Sequence, residues 1–344
     1  MVDTTYARRA PFSGTAIYLD RVSRALSQIE GLELLEVANP RRGLPAGGGI
    51  GSLRNLLMDL SWAALELPRL ARRQGADVVH HALPARSPGC AQAITVHDLS
   101  FERRPDCFDR GFRTYAHYAH RGAARAADAV ICVSQTTATD VRELWGIPSE
   151  RIVVARHGPG QLGDRASLDE PRHFLYVGDA EPRKDLPTLL AAYELYRRSV
   201  FAPVPLVLAG SASAEGEGIE VWPHPPPDRL AVLYAQALAL VHPSLYEGFG
   251  LTALEAMSAG VPVLAARSPG LTELCAGAAL YAEPGQPTSF ADHMAWLASE
   301  PRLRDELSRR GRARAEEFSW EASARAHVEA YRQAAERRRR GPVR

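Results

Sequence analysis

The stretch HPSLYEGFGLTALEAMSAGVP, residues 242–262, combines the end of a β-strand, a glycine-containing loop and the start of an α-helix. The glycines of its EGFG loop allow the backbone to approach a ligand closely. The first N–H groups of the helix, those of Leu251, Thr252 and Ala253, are expected to point out of the helix start without intrahelical partners. Such a helix start attracts phosphate groups, so the stretch predicts a phosphate site in an α/β fold.

Two carboxylates frame this helix start. Glu247 lies in the loop before the helix, and Glu255 lies one turn inside it. Carboxylates repel phosphate but accept hydrogen bonds from hydroxyl groups. The pair therefore predicts recognition of the hydroxyls of a ribose or a sugar ring next to the phosphate.

Along the rest of the chain, short apolar β-branched runs alternate with segments of helical periodicity. This alternation indicates parallel sheets covered by helices on both faces. Residues 157–172 are rich in Gly, Pro and Asp, interrupt the alternation and are the predicted linker. We therefore predict an α/β protein with an N-terminal domain at 1–160, a C-terminal domain at 161–318, and a C-terminal helix with a basic tail at 319–344.

The composition is that of a folded globular protein. Of the 344 residues, 46% are hydrophobic and 24% are charged, and the net charge is +1. These values exclude long disorder and remove the general electrostatic basis for nucleic-acid binding. The four cysteines form no CxxC pair, which indicates a reducing environment. No apolar stretch typical of a secretory leader follows Arg8 and Arg9, and the longest apolar run, 230–241, falls short of the roughly 20 residues that span a bilayer.

A second segment, YVGDAEPRKDL at 176–186, follows a predicted strand and precedes a predicted helix. Its Arg183 and Lys184 place two positive charges at the strand end, where a departing diphosphate would be neutralised. Of the 41 basic residues, 40 are arginine and only Lys184 is lysine. Because the bulky guanidinium fork does not replace a compact ammonium group, the single lysine indicates a specific role.

The order and spacing of these motifs resemble those of the retaining nucleotide-sugar glycosyltransferases of family 4. Glu247 and Glu255 resemble the E-x7-E signature of that family, and LEAM, AGVPV and the SPGLTE segment at 268–273 follow in the family's order. The resemblance extends from Ser13 to about Tyr331. It implies a GT-B fold, in which two Rossmann-like, doubly wound parallel-sheet domains face each other across a cleft and a C-terminal helix returns to the N-terminal domain.

The same resemblance implies roles for side chains of the C-terminal domain. Glu255 would hold the ribose hydroxyls, Glu247 would meet the donor sugar, and Arg183 and Lys184 would contact the pyrophosphate. The backbone expected around the donor belongs to Gly178, Gly248, Phe249, Gly250, Leu251 and Thr252. Asp179 departs from the family pattern, because many relatives carry arginine directly after the glycine. The resemblance therefore does not imply a third positive group at the pyrophosphate.

In the N-terminal half, the segment ITVHDLS at 94–100 ends a predicted strand with His97 and Asp98. It is similar to the family's H-D-L segment, in which the histidine reaches towards the donor sugar. Asp98 either orients the imidazole or, as we favour, caps the following turn. Gly14, in front of a helix predicted at 17–29, is similar to the glycine loop near the donor phosphates, although relatives commonly carry two glycines there.

Other motifs are interpreted as structural. The glycine run at 47–51 lacks the Lys and Ser/Thr of a P-loop and is expected to be a flexible connection beside an acceptor site. The histidine pairs at 80–81 and 117–120 have no acidic or cysteine partner at ligand spacing, and the sequence contains no D-x-D triplet, so we predict no metal and no cofactor. The helix predicted at 55–73 is interpreted as core-packed, with a membrane-surface or acceptor-binding role as the alternative.

These observations predict a metal-independent, retaining hexosyltransferase. It would move a sugar, with mannose favoured, from a nucleoside-diphosphate sugar to a hydroxyl of a cell-envelope or polysaccharide acceptor, either a glycan or a lipid-linked one. The base is expected between Gly210 and His224. Two alternatives stay open: a non-catalytic paralogue that binds nucleotide-sugar, and another GT-B-like activity, a sugar-nucleotide epimerase or a phosphorylase. We expect a cytoplasmic protein without a nucleic-acid partner, in which the Arg337–Arg340 run is a solvated tail or, alternatively, contacts anionic lipid at the inner membrane face.

Overall fold

Two α/β units make up the chain in the computed structural model, which describes residues 1–10, 13–43, 49–160 and 170–341. The first unit consists of Met1–Glu102, Asp109–His157 and Trp320–Arg344, and the second consists of Arg103–Phe108 and Gly158–Ser319. The segment 103–108, which the sequence analysis assigned to the N-terminal domain, thus groups with the second unit. Most of the predicted linker (161–169) and the start of the glycine run (47–48) lie outside the described residues.

The first unit contains a six-stranded parallel sheet in the order β2-β1-β3-β4-β5-β6. Its strands are β1 (Val2–Asp3), β2 (Glu36–Val37), β3 (Val78–His81), β4 (Ala91–Val96), β5 (Ala129–Cys132) and β6 (Ile152–Val154). Its helices are α1 (Thr5–Arg9), α2 (Gly14–Leu26), α3 (Gly49–Ser61), α4 (Leu67–Arg73), α5 (Ser100–Arg103), α6 (Arg110–Ala126) and α7 (Gln135–Trp145). Short helical turns cover Trp62–Glu66, Pro105–Cys107 and Ser149–Arg151. The strand order changes direction between β1 and β3, and such a switch point is where open parallel sheets bind ligands.

The second unit contains another six-stranded parallel sheet, in the order β12-β11-β10-β7-β8-β9. Its strands are β7 (His173–Val177), β8 (Leu206–Gly210), β9 (Ile219–Pro223), β10 (Ala237–His242), β11 (Val263–Ala266) and β12 (Leu280–Ala282). Its helices are α8 (Leu186–Ser199), α9 (Pro227–Ala235), α10 (Leu251–Ala259), α11 (Pro269–Cys275), α12 (Pro287–Ser299) and α13 (Pro301–Ala315), with short turns at Pro182–Lys184 and Ala276–Ala278. This strand order is that of dinucleotide-binding folds, with its switch point between β7 and β10. The predicted α/β class is confirmed.

The C-terminal helix α14 (Trp320–Arg340) packs against α2 and β4 of the first unit, as predicted. A buried chain of hydrogen bonds joins these elements. Tyr331 bonds to Nδ1 of His80, and Nε2 of His80 bonds to the hydroxyl of Thr95, both at 2.8 Å. The Thr95 hydroxyl lies 2.8 Å from the phenol oxygen of Tyr18, which in turn lies 2.6 Å from Nε2 of His327. The buried side chains of Tyr18, His80, Thr95 and His327 thereby satisfy one another's hydrogen-bonding groups.

Several element boundaries differ from those predicted. Strand β1 is short and ends at Asp3, because the Asp3 carboxylate accepts the backbone N–H of Thr5 and turns the chain into α1. The helix expected at 55–73 begins earlier, at Gly49, and contains one wide π-helical turn. Pro68 accounts for this turn, because it cannot donate to the carbonyl four residues earlier. Strand β9, absent from the prediction, occupies part of the region assigned to the base.

Candidate active site

The residues singled out in the C-terminal half gather at the switch point of the second sheet. Strand β7 leads into Gly178 and then into the turn Pro182–Lys184, while the neighbouring strand β10 leads into the loop that carries Glu247. Because the strands are parallel and adjacent, both connections leave the same edge of the sheet. The sheet order therefore brings together two segments that lie about sixty residues apart in sequence.

Glu247 forms the centre of this cluster. The residue is 6% exposed, and its Oε1 accepts hydrogen bonds from Nζ of Lys184 at 2.5 Å and from Nη1 of Arg183 at 3.4 Å. Burial alone would raise the pKa of Glu247, but the charges of Lys184 and Arg183 hold this pKa well below its usual range. Glu247 is therefore an ionised carboxylate held in place by Lys184 and Arg183, the two residues predicted to contact the diphosphate.

Arg183 is held from several directions. Its Nε donates to the carboxylate of Glu181 at 2.7 Å, and its backbone carbonyl accepts the N–H of Leu245 at 2.9 Å. The turn ends at Asp185, whose φ of 52° lies in the left-handed region that non-glycine residues rarely adopt. These contacts fix the two cations relative to the loop of Glu247.

His242, the last residue of β10, belongs to the same cluster and was missed in the sequence analysis. The residue is 4% exposed, and its Nε2 lies 3.9 Å from Oε1 of Glu247. Burial lowers the pKa of His242 to about 4, so the ring is neutral at pH 7. Among the described residues, neither ring nitrogen has a hydrogen-bond partner. A polar residue at the carboxyl end of a buried strand was the available signal, and His242 stands first in the stretch quoted above.

The loop and helix after Glu247 have the expected shape with one difference. Gly250 has a φ of 99°, and a Cβ there would clash with Leu271, so glycine is required before α10. The N–H of Ala253 is already bonded to the carbonyl of Gly250 at 3.0 Å. The donors at the mouth of α10 are therefore those of Leu251 and Thr252, and the expectation that Ala253 contributes a third is wrong.

Phe249 and Gly248 complete this loop. The ring of Phe249 is buried edge-on against Phe318, with ring centroids 5.9 Å apart. The side chain of Phe249 thus anchors the loop in the core of its unit. Any contact of Phe249 with a ligand would come from the backbone.

Glu255 lies on the following turn of α10 and is almost completely buried. Its Oε2 accepts a hydrogen bond from the phenol of Tyr234 at 2.9 Å, and a Cβ at Gly160 would collide with its Oε1. Burial and the adjacent Glu255 carboxylate raise the pKa of Tyr234 well above its usual range, so the phenol stays protonated as a donor. Tyr234, on α9, therefore orients Glu255, and the sequence analysis did not identify it.

Two further features flank the switch point. Gly210, with a φ of 123°, lies so close to Gly178 that a Cβ would collide with the Gly178 carbonyl oxygen. Asp179 is exposed, and its carboxylate accepts the backbone N–H of Ser211 at 3.3 Å. In the region assigned to the base, the guanidinium of Arg229 covers the ring of Trp222 at 4.1 Å.

The two candidates of the N-terminal half, His97 and Gly14, lie in the first unit. Nε2 of His97 donates to the carbonyl of Ala82 at 3.1 Å, and burial lowers the pKa of His97 to about 4. Asp98 accepts the backbone N–H of Ser100 at 2.9 Å, which confirms the predicted cap. Gly14 is the first residue of α2, and a Cβ there would meet no described atom within 4 Å.

Within the part of the chain that the structure describes, no group of three or more His, Cys, Asp or Glu side chains is arranged to hold a metal ion. Of the histidines considered for such a site, His117 does have an acidic partner, Glu102, at 2.7 Å. Across the described ranges, every helix is too short or too polar to cross a membrane.

Comparison with known proteins agrees with this geometry. Residues 12–159 match the family described as Glycosyltransferase Family 4, and residues 163–314 match the family described as Glycosyl transferases group 1. O-antigen chain mannosyltransferase B of Escherichia coli is 29% identical over 292 residues, which cover 76% of each chain.

Solved structures show the same fold. Sucrose-phosphate synthase from Thermosynechococcus elongatus superposes with a TM-score of 0.75 at 19% identity, over 96% of this chain and 98% of that one. HepE of Anabaena, in complex with UDP and glucose, superposes with a TM-score of 0.69 at 16% identity, over 95% of this chain and 97% of that one. The two family matches together account for most of the sequence, and the chain therefore belongs to the group 1 and family 4 glycosyltransferases of GT-B fold.

Proposed function

We propose that the protein transfers a sugar from a nucleoside-diphosphate sugar to an acceptor hydroxyl with retention of configuration. The observation that carries this proposal is the cluster of Lys184, Arg183 and Glu247 beside the start of α10. The two cations and the N–H groups of Leu251 and Thr252 supply the positive field that a departing diphosphate needs.

In the proposed reaction, the bond between the anomeric carbon and the diphosphate oxygen breaks while the acceptor oxygen bonds to the same carbon. The acceptor attacks from the face that the diphosphate leaves, and its proton passes to the leaving diphosphate. Positioning and electrostatic stabilisation supply most of the catalysis in such a scheme. Glu247 stays ionised beside its two cations and accepts hydrogen bonds from the donor sugar.

The nucleoside is proposed to bind through Glu255. Its carboxylate is held by Tyr234 and accepts hydrogen bonds from the ribose hydroxyls. The base is proposed to lie near Trp222 and Arg229. The charges of Lys184 and Arg183 take the part that a divalent cation plays in metal-dependent sugar transfer, so we propose that no metal or cofactor takes part.

Mannose is the sugar we propose, and a polysaccharide or other cell-envelope glycan is the proposed acceptor. The name of the Escherichia coli relative, an O-antigen chain mannosyltransferase, supports both assignments. HepE was solved with UDP and glucose. The first experiment therefore has to compare a guanosine donor with a uridine donor.

The experiment is a thermal-shift panel with GDP, UDP, ADP, TDP and CDP, followed by turnover assays with the matching nucleotide sugars. A nucleotide at a hundredfold excess over its dissociation constant stabilises the folded state by about 2.7 kcal/mol. A flat panel would overturn the proposal. Binding without turnover would indicate a non-catalytic paralogue, and release of an isomerised free sugar without acceptor would indicate an epimerase.

Two variants test the cluster itself. Glu247→Gln should lower transfer about tenfold to a hundredfold, since hydrogen bonds to a charged group contribute about 1.5–3 kcal/mol, while nucleotide affinity changes little. Glu181→Gln is the matched control, because the half-exposed Glu181 carboxylate contacts Arg183, whereas Glu181 meets Lys184 only through its backbone carbonyl, which the substitution keeps. Equal activity of Glu247→Gln and the wild type would contradict the assigned role.

A further inference from the structure

His242, at the carboxyl end of β10, is a buried polar side chain whose hydrogen-bonding atoms are unused. The residue is 4% exposed, and neither of its ring nitrogens has a hydrogen-bond partner among the described residues. Its register neighbour on β11, Ala265, offers no polar side chain. Buried polar atoms without a partner are rare in folded proteins, and a role in catalysis is one of the few reasons for keeping them.

The imidazole of His242 lies next to the carboxylate at the centre of the cluster. Its Nε2 is 3.9 Å from Oε1 of Glu247, which is about 1 Å beyond hydrogen-bond distance. The same Oε1 already accepts the ammonium of Lys184 at 2.5 Å and the guanidinium of Arg183 at 3.4 Å. His242 is therefore next in line for an oxygen that Lys184 occupies.

The surroundings keep His242 uncharged while the cluster is closed. Burial lowers the pKa of His242 to about 4; the Glu247 carboxylate raises this pKa, and the charges of Lys184 and Arg183 lower it. Both cations come from the turn after β7. Glu181 adds a carboxylate on the half-exposed side of Arg183, 2.7 Å from its Nε.

A donor diphosphate would reverse this balance of charge. The pyrophosphate of a nucleotide sugar carries two negative charges, which offset those of Lys184 and Arg183 and compete with Glu247 for the ammonium of Lys184. Glu247 would then be a buried carboxylate that has lost its nearest partner, which is strongly unfavourable. A protonated imidazole at the position of His242 would replace that partner.

We propose that His242 is a positioning residue for the transfer reaction. When the donor diphosphate draws Lys184 away from Glu247, the His242 ring takes one proton from the solvent and holds Oε1 of Glu247 with its Nε2–H. The proton returns to the solvent when the nucleotide leaves, and no covalent bond to carbon or phosphorus changes in this step. The inference rests on the proposed function and adds to it a coupling between donor binding and proton uptake.

The first test counts the protons taken up on binding. GDP-mannose and UDP-glucose are titrated calorimetrically into the full chain at pH 6, in cacodylate, Mes and Bis-tris buffers, whose ionisation enthalpies differ. Neither nucleotide sugar has a phosphate proton that titrates near this pH, so the dependence of the heat on the buffer reports the protein. The wild type should take up roughly 0.5–1 proton more than His242→Gln. Equal uptake in the two proteins, or none in the wild type, would overturn the proposal.

His173→Gln is the matched control for this measurement. His173 is 5% exposed and belongs to the same sheet, but it begins β7 and so lies at the opposite edge from His242. Its Nε2 bonds to the carbonyl of Leu233 at 2.9 Å, a bond that the glutamine amide can replace. Burial lowers the pKa of His173 as well. Since no donor group is expected there, His173→Gln should keep the wild-type proton uptake.

Donor affinity provides a second readout. Because binding is coupled to proton uptake, the affinity of the wild type should rise by up to about tenfold per pH unit as the pH falls from about 6.5 to 5. His242→Gln should show a flatter dependence, and His173→Gln should show that of the wild type. The same slope in all three proteins would refute the coupling.

Two variants separate positioning from a purely structural role. At saturating donor, His242→Phe should lower kcat about tenfold, whereas His242→Gln, which keeps an N–H donor, should stay within about threefold of the wild type. His242→Phe should not lower the melting temperature, since the ring nitrogens it removes have no partner among the described residues. A loss of kcat that is equal in both variants and accompanied by a loss of stability would contradict the assigned role.

Failure of this inference and failure of the proposed function give different results. If neither nucleotide sugar binds, the proposed function fails and the role of His242 falls with it. If a nucleotide sugar binds and its sugar is transferred, but proton uptake does not depend on His242, the proposed function stands and the inference is refuted.

Discussion

The phenol oxygen of Tyr18 lies 2.6 Å from Nε2 of His327, so a hydrogen bond joins α2 to the C-terminal helix although the two residues are 309 positions apart. Nδ1 of His327 donates to the carbonyl of Ser323 at 2.7 Å. In the neutral imidazole Nε2 is then the acceptor, and the Tyr18 hydroxyl is its donor. Because the only hydroxyl hydrogen of Tyr18 is used in the bond to His327, the Thr95 hydroxyl must donate to the Tyr18 oxygen.

Tyr18→Phe should therefore destabilise the protein. The substitution removes the donor of His327 and the acceptor of Thr95 and leaves both groups buried, which costs about 1–3 kcal/mol. Urea unfolding followed by circular dichroism measures this change. Tyr118→Phe is the control, because Tyr118 is 72% exposed and its substitution should change the free energy of unfolding very little. If Tyr18→Phe left the urea midpoint of unfolding unchanged, the proposed chain of hydrogen bonds would be contradicted.

Stability should fall in mild acid. Burial lowers the pKa of His81 and of His327 to about 4, whereas an unfolded histidine has a pKa of about 6.5. Between these values the unfolded chain binds protons that the folded chain does not, so stability is lost as the pH falls from about 6.5 towards about 4. Each histidine contributes on the order of 1–3 kcal/mol to this loss.

Unfolding free energies measured at several pH values within that window test this prediction. His327→Gln should flatten the dependence on pH, since it removes one of the buried bases. The exposed His224 provides the control, and His224→Gln should keep the wild-type slope. If the unfolding free energy depended on pH equally in the wild type, His327→Gln and His224→Gln, the prediction would be contradicted.

Lys184→Met should lower transfer by about 10²–10³-fold, because the nearest cation of the leaving-group site is lost. The pKa of Glu247 should rise towards its usual range once Lys184 is removed. Its ionised form would then be lost at a higher pH, so the acid limb of the pH–rate profile should move upward. Lys184→Arg keeps the charge and should keep the limb in place. Rates of donor hydrolysis and transfer against pH measure both effects.

Glu255→Gln should weaken binding of the nucleoside diphosphate about tenfold to a hundredfold, since hydrogen bonds to a carboxylate contribute about 1.5–3 kcal/mol. Binding of inorganic pyrophosphate should not change, because it carries no ribose. Tyr234→Phe should have a smaller effect, since Tyr234 acts on the ribose only by orienting Glu255. Equal weakening of both ligands in Glu255→Gln would place the carboxylate at the phosphates instead.

Gly210→Ala should destabilise the protein by at least about 2 kcal/mol. An added Cβ would collide with the carbonyl of Gly178, and a φ of 123° is strained for alanine. Gly277→Ala is the control, because a Cβ there meets no described atom within 4 Å. Comparable melting temperatures of the two variants would contradict the close approach of the two strand ends.

The sequence predicted the parts of the site that depend on local order. Glu247, the turn with Arg183 and Lys184, and the start of α10 all follow from a strand, a loop and a helix start in succession. The contact between Lys184 and Glu247 was not predicted, because it depends on β7 and β10 being neighbours. That neighbourhood is a property of the sheet order, which short-range patterns do not determine.

Tyr234 was missed for a different reason. It lies in the apolar run 230–241, which the structure divides between the end of α9 and strand β10. Periodicity does not distinguish helix from strand in a run that is apolar throughout. With the helix unrecognised, nothing in the sequence placed this phenol beside Glu255.

The single lysine of the chain has a practical consequence. Apart from the amino group of Met1, the ammonium of Lys184 is the only primary amine in the sequence. Protein grown on nitrogen-15-labelled lysine would therefore give one side-chain resonance, and this resonance would arise from the atom that contacts Glu247. A magnetic-resonance titration could follow donor occupancy at that atom without any engineered probe.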